Sequence, residues 1–106
     1  MGPTAQVYIL TDGQDNPLYI GCTNNAKRRI RQHLSARPLK ADNRQISKAY
    51  VAFAGCLQNA LECEAWLIRN NKPAWNTIKP AMHYRSTDIA DYLKKLTWEI
   101  WDLKEA

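Results

Sequence analysis

The sequence lacks the long apolar runs and the cysteine patterns that define several protein classes. No stretch approaches the roughly 18 apolar residues of a membrane-spanning helix, and the amino terminus has neither the basic start nor the apolar core of a signal peptide. The three cysteines, Cys22, Cys56 and Cys63, are odd in number and have no CxxC spacing, which argues against a disulfide framework and a zinc knuckle. We therefore expect a cytoplasmic protein with reduced thiols and no membrane contact.

Internal repeats, low-complexity tracts and interdomain linkers are also missing. The chain has 106 residues, 45% of them hydrophobic and 24% charged, which is the balance of an ordinary globular protein. This length allows one modest core and no second one. We expect a single domain over residues 1–106.

Acidic residues are scarce between residues 24 and 48. This segment has eight lysines and arginines against Asp42 alone, a net charge of +7, which leaves −2 for the rest of a chain whose formal charge is +5. Such a segment suits a polyanion, above all the phosphate backbone of DNA, although a solvated helix face would have the same composition. Apart from Arg29, the residues expected to contact DNA are Lys27, Arg28, Arg31, Arg37, Lys40, Arg44 and Lys48.

Alternating β-branched and aromatic residues predict a three-stranded antiparallel sheet that begins with a hairpin. Turn formers occupy residues 12–16, between the first two strands. The alternation allows Tyr8 and Tyr19 to share one face of the sheet. The predicted strands cover residues 6–11, 17–21 and 49–55, and the predicted fold class is α+β.

Helical periodicity predicts two helices that flank the sheet, at residues 24–35 and 59–70. Thr23 or Asn24 is the expected N-cap of the first. Arg29 and His33, four residues apart, border its apolar stripe and can point into a neighbouring cleft.

Glu64 lies in the middle of the apolar stripe of the second helix. An ionised carboxylate there is costly unless a cation, a metal or strong donors accompany it. Three interpretations follow: a salt bridge to Arg29, a position at the open end of the stripe, and a metal site. Glu62 is an alternative acid, but the helical period turns it outward.

A third helix, amphipathic, is predicted over residues 86–105. It carries Trp98 and Trp101, which could join Trp66 in a packing cluster or form a surface for a second copy or a partner protein. Packing is the simpler interpretation.

Three sequence blocks resemble the GIY-YIG nuclease family in their order and spacing. They read QVYIL, LYIGCTNNAKRRIRQH and ALECEAWLIRNNKPAWN, and together they span residues 6–76. Each block alone is a weak signal, whereas the three together are specific. Two departures exist: Gln6 stands where the first motif has glycine, and residues 77–106 match no motif.

The resemblance implies a stand-alone DNA endonuclease that uses one Mg²⁺ or Mn²⁺ ion. It makes Glu64 the metal ligand and Arg29 the residue that stabilises charge on the phosphoryl group. Tyr8 becomes the candidate general base, although its ordinary pKa of ~10 is high for this role. The remaining site residues by resemblance are Tyr19 and His33, which orient this network, and Gly21 and Asn76, which support it.

Two alternatives to catalysis remain at the level of sequence. A noncatalytic DNA-binding module would need only the basic segment. An adaptor would need only the tryptophans. The complete set of polar motif residues favours the enzyme.

Overall fold

The structure, a computed structural model, describes residues 5–36, 46–76 and 88–103. These ranges form an antiparallel sheet and three helices, which confirms the predicted α+β class. None of their helices has the length and apolar character needed to cross a membrane. The elements in chain order are β1 (Gln6–Thr11), β2 (Pro17–Thr23), α1 (Ala26–Ala36), β3 (Lys48–Phe53), α2 (Leu57–Asn71), α3 (Asp88–Lys95) and β4 (Trp98–Asp102).

The sheet has four strands rather than the predicted three, in the order β2-β1-β3-β4, and neighbouring strands are antiparallel. The predicted hairpin is confirmed, and its register pairs Tyr8 of β1 with Gly21 of β2. In the turn, the Asp12 carboxylate accepts hydrogen bonds from the backbone N–H groups of Gln14 and Asn16, both at 2.9 Å. Such side-chain to backbone bonds stabilise tight turns.

Helices cover both faces of this sheet because successive side chains of a strand point to opposite sides. On one face, Tyr8 and Leu10 pack with Ile30 of α1. On the other, Val7 packs with Cys63 of α2, and α3 joins the same cluster. Burying one large apolar side chain contributes roughly 1.5–3 kcal/mol, so these clusters fix both helices against the strands.

The predicted C-terminal helix over residues 86–105 is wrong in its second half. α3 ends at Lys95, and the chain returns as β4, whose Ile100 pairs with Tyr50 of β3. The aromatic and β-branched residues of β4 favour a strand, but Ile100 also fits a helical period, which concealed the alternation. Part of the predicted extension, residues 77–87, lies outside the described residues.

The three tryptophans do not form one cluster. Trp66 and Trp98 are half buried on the side of the sheet that α2 covers, whereas Trp101 packs on the side of α1. Trp98 and Trp101 are three residues apart on a strand, so they point to opposite faces. The packing interpretation therefore accounts for them, and the C-terminal segment offers a strand rather than a helix to any second copy.

Candidate active site

Two tyrosines and a histidine meet on the face of the sheet that α1 covers. The ring centroids of Tyr8 and Tyr19 are 6.1 Å apart, and those of Tyr19 and His33 are 4.6 Å apart. The Tyr8 hydroxyl and His33 Nε2 are hydrogen-bonded at 2.8 Å. Tyr8 is only 1% exposed, so its hydroxyl is held in one place by packing and by the histidine.

Gly21 leaves the space that the Tyr8 side chain occupies. A Cβ atom at this position would lie 2.7 Å from the Tyr8 hydroxyl oxygen, 2.8 Å from its Cζ and 3.0 Å from Tyr19 Cε2. These separations are too short for non-bonded atoms. The absence of a side chain at Gly21 therefore allows the two tyrosine rings to pack over β2.

Gly21→Ala should destabilise the fold and displace Tyr8. Overpacking of this kind typically costs about 1–3 kcal/mol, and we expect a lower midpoint in urea unfolding. Gly13→Ala is the matched control, because Gly13 is exposed in the hairpin turn and its φ is not positive. Equal stability of the two variants would contradict the steric role of Gly21.

Two side chains fix the start of α1 and thereby its position over the sheet. Asn25, rather than the predicted Thr23 or Asn24, caps the helix: its Oδ1 accepts a hydrogen bond from the Arg28 backbone N–H at 3.1 Å. The buried Gln6 of β1 accepts a hydrogen bond from the Ala26 backbone N–H at 2.8 Å. The residue that replaces the motif glycine thus joins β1 directly to the helix that carries Arg29.

Arg29 points from α1 toward the two tyrosines. Its Nη1 donates a hydrogen bond to Gln32 Oε1 at 2.9 Å. The charge and hydrogen bond of Tyr8 raise the pKa of Arg29, with a smaller contribution from Tyr19. The guanidinium therefore lies beside both hydroxyls while most of its side chain stays exposed, in a position where a phosphate group could reach it.

The pKa of Tyr8 is raised from its ordinary value. Burial is the largest cause, followed by the charge of Tyr19, while Arg29 lowers the pKa and Glu64 raises it slightly. The phenolate is thus disfavoured, and neutralisation of Glu64 would remove one of the opposing charges. The contribution of Glu64 also shows that this carboxylate lies within electrostatic reach of Tyr8.

Glu64 approaches the site from α2, on the other side of the edge strand β2. Its Oε1 accepts a hydrogen bond from the Cys22 thiol, with a sulfur to oxygen distance of 3.8 Å. Burial raises the pKa of Glu64, although the Cys22 thiol and backbone N–H oppose that shift. Burial and the Glu64 charge in turn raise the pKa of Cys22 to about 12, so this thiol stays protonated at neutral pH.

The predicted orientations of the two glutamates on α2 need correction. Glu64 is half buried at the border of the helix, not at the centre of its apolar face, and Glu62 is only 1% exposed instead of pointing outward. The helical period assumed one buried side. Ala65 and Leu67, two residues apart and nearly opposite on the helix, are both buried, so α2 is covered on more than one side.

The Glu62 carboxylate is hydrogen-bonded within α2. Gln58 Nε2 donates to its Oε2 at 2.7 Å, and the carboxylate has further interactions. This pairing stabilises a buried carboxylate in place. Glu64 instead contacts Cys22 of β2 and contributes to the electrostatics of Tyr8, so it remains the candidate acid.

The interpretations of Glu64 can now be compared. Among the described residues Glu64 forms no ion pair with Arg29, whose Nη1 donates to Gln32 and whose pKa is raised by the two tyrosines. The described residues also contain no cluster of three or more histidines, cysteines or acids that could hold a metal ion together. A half-buried carboxylate at the border of its helix, with no ion pair among the described residues, suits a hard divalent ion that keeps most of its water ligands.

Asn76 holds β2 at the level of the two tyrosines. Its Nδ2 donates to the Ile20 carbonyl at 3.0 Å, and its Oδ1 accepts from the Ile20 backbone N–H at 2.8 Å. Trp75 continues this pairing by donating its backbone N–H to the Leu18 carbonyl at 2.7 Å. The outer edge of β2 is thus bonded up to Ile20, one residue before Gly21, which accords with the supporting role expected of Asn76.

The basic residues predicted to contact DNA do not all belong to one surface. Lys27, Arg28 and Arg31 are exposed on α1. Lys48 lies at the start of β3, paired with Thr11 and Asp102, away from that helix. The remaining three, which lie outside the described residues, are Arg37, Lys40 and Arg44.

Three residues near the site were not identified from the sequence. Cys22 contacts Glu64, Gln32 contacts Arg29, and Gln6 bonds the start of α1. Only Gln32 had a local hint, since residues three apart on a helix are neighbours. The contacts of Cys22 and Gln6 join distant segments and depend on the fold.

In a comparison with family models, residues 4–79 match the model described as the GIY-YIG catalytic domain. The matched range contains all the residues that the resemblance implicated. No curated protein and no solved structure gives a match.

Proposed function

The chain belongs to the GIY-YIG catalytic domain family, and from this premise we propose that it is a DNA endonuclease that uses one Mg²⁺ or Mn²⁺ ion. Family membership by itself implies nuclease activity. The metal, the roles of individual residues and the mechanism are our proposal. The observation that carries it is that Tyr8, Tyr19, Arg29 and His33 lie together on one face of the sheet, while Glu64 of α2 contacts Cys22 of the edge strand β2.

Glu64 would hold the metal ion through its carboxylate. A bound divalent ion would polarise the phosphate and stabilise the leaving oxygen. Burial disfavours the ionised Glu64 on its own, so a cation at this carboxylate offsets a cost that the fold otherwise carries. The neighbouring Cys22 thiol, as a donor, orients the same oxygen.

Arg29 would bind the phosphate and stabilise the negative charge that builds in the transition state. A guanidinium is permanently charged and has five donors in a planar arrangement that matches phosphate oxygens. Gln32 takes up one of these donors, which limits rotation of the guanidinium. Tyr8 and Tyr19 lie close enough to raise the pKa of this guanidinium, so a phosphate bound to Arg29 would also lie near both hydroxyls.

Tyr8 and His33 would activate the attacking water together. The raised pKa of Tyr8 makes a free phenolate scarce, but His33 Nε2 lies at hydrogen-bonding distance from its hydroxyl. As neutral imidazole, His33 can accept the Tyr8 proton while the Tyr8 oxygen takes a proton from water. Tyr19 packs against the His33 ring and fixes its orientation.

The direct test is conversion of supercoiled plasmid to nicked circles in Mg²⁺ or Mn²⁺, with chelator as the blank. Arg29→Lys should slow this reaction by about tenfold to a hundredfold, because lysine keeps the charge but loses the two-donor geometry. Its affinity for DNA should change far less. Binding without nicking by the unmodified protein would instead identify a noncatalytic DNA-binding module.

A further inference from the structure

The outward side of α1 contains a shallow depression of about 420 Å³ that the proposed chemistry does not use. It is lined by Arg28, Arg31, Gln32 and Ser35. Arg31, Gln32 and Ser35 lie three, four and seven residues after Arg28, so the four positions share one side of the helix. All four lining side chains therefore come from the element that also carries Arg29.

The lining of this depression suits an anion. It has two guanidinium groups, an amide and a hydroxyl, and no acidic side chain. In the described part of the chain, neither the Arg28 nor the Arg31 side chain has a hydrogen-bond or ion-pair partner. Their donors are available to a ligand, and guanidinium groups bind phosphate oxygens through two parallel hydrogen bonds.

Gln32 connects the depression to the proposed catalytic residues. It lines the depression, and its Oε1 accepts the hydrogen bond from Arg29 Nη1 at 2.9 Å. A phosphate in the depression and a phosphate at Arg29 would thus be separated by one side chain.

We propose that Arg28, Arg31, Gln32 and Ser35 form a subsite for the phosphate next to the one that is cleaved, on the same DNA strand. This inference rests on the proposed nuclease function, which places the reacting phosphate at Arg29. The subsite contacts a group that does not change during the reaction. Its binding energy is therefore the same in the ground state and the transition state, and it sets KM rather than kcat.

The first test measures DNA affinity against salt concentration, using a labelled duplex and the cleavage-deficient Glu64→Gln protein as parent. Adding Arg28→Gln and Arg31→Gln should flatten the slope of log K against log salt by about 0.9, the value for one phosphate contact. Lys94→Gln with Lys95→Gln is the control, because it removes the same charge from the exposed end of α3. A slope no flatter than that of the control would overturn the subsite.

The second test locates the phosphate. In cleavage by protein with Glu64 intact, one neutral methylphosphonate is placed on either side of the linkage being cut. On one of the two sides, the methylphosphonate should lower kcat/KM at that linkage by about tenfold, as expected for the loss of a charge-assisted contact. This loss of kcat/KM should vanish when Arg28 and Arg31 are both replaced by glutamine. A penalty that persists in the double variant would place the neighbouring phosphate elsewhere and overturn the assignment.

The two tests separate this inference from the proposed function. If the unmodified protein cuts no DNA, the nuclease proposal fails, and the salt slope still decides whether these arginines hold a phosphate. If cleavage occurs but the arginine variants change neither slope nor coupling, the nuclease proposal stands and the subsite is wrong.

Discussion

Glu64→Gln is expected to reduce metal-dependent DNA cleavage by about 10³-fold or more, because a divalent ion contributes several kcal/mol of charge stabilisation and each 1.36 kcal/mol is a factor of ten. Glutamine keeps the shape of the side chain but loses the charge that would hold the ion. Cleavage rates on plasmid DNA, with Mg²⁺ and with Mn²⁺, measure the effect. Glu99→Gln is the matched control, since Glu99 is an exposed carboxylate on β4.

Thermal unfolding distinguishes loss of the metal from loss of the fold. Mg²⁺ should raise the Tm of the unmodified protein but not that of Glu64→Gln. Folding raises the pKa of Glu64, so the folded protein binds this proton more tightly than the unfolded chain does. Protonation of Glu64 therefore stabilises the fold below the unfolded-state pKa, and this stabilisation is lost as pH rises through the folded-state pKa. Without metal, the Tm of the unmodified protein should therefore fall relative to Glu64→Gln as pH rises from about 4 to 7.

Two outcomes of these measurements would contradict the assignment of Glu64 as the metal ligand. Unchanged cleavage by Glu64→Gln would remove Glu64 from the chemistry. Equal stabilisation of both proteins by Mg²⁺ would place the ion at another site.

Tyr8→Phe should lower kcat by roughly 10²–10⁴-fold, the usual contribution of a general acid or base. Phenylalanine preserves the ring packing and removes the Tyr8 hydroxyl, which is hydrogen-bonded to His33 Nε2. Affinity for DNA should be nearly unchanged. The measurement is single-turnover cleavage with protein in excess over a labelled duplex.

Tyr50→Phe is the control for that experiment. Tyr50 also donates its hydroxyl, to Asp15 in the hairpin turn, but it belongs to the opposite face of the sheet. If proton transfer runs from Tyr8 to His33, then His33→Ala should slow the reaction too, and combining it with Tyr8→Phe should add little. Additive losses in the double variant would mean that the two residues act independently.

Most of the fold could be predicted because its patterns are local. The β1–β2 hairpin followed from alternation and turn residues, and α1 and α2 from helical periodicity. β4 could not be predicted, because a strand that pairs with β3 is defined by that pairing and its five residues also fit a helix. This is a case in which tertiary contacts override a local pattern.

In the candidate site, too, the local patterns were predictable and the tertiary contacts were not. Alternation put Tyr8 and Tyr19 on one face, and the four-residue spacing put Arg29 beside His33. The position of Glu64 at the border of the helix beside Cys22, rather than at the centre of a stripe, depends on what covers α2 from both sides. A single helical period contains no information about this second covering.

The register between β1 and β2 makes the proposed catalysis depend on the length of the turn that joins them. Shifting β2 by a single residue against β1 would move Tyr19 and Gly21 to the opposite face of the sheet, while most backbone hydrogen bonds could form again. Such a protein could keep a sheet and lose its active site. Substitutions within residues 12–16 should therefore be tolerated more readily than insertions or deletions there. Only turn lengths that keep Tyr8 opposite Gly21 preserve the candidate site.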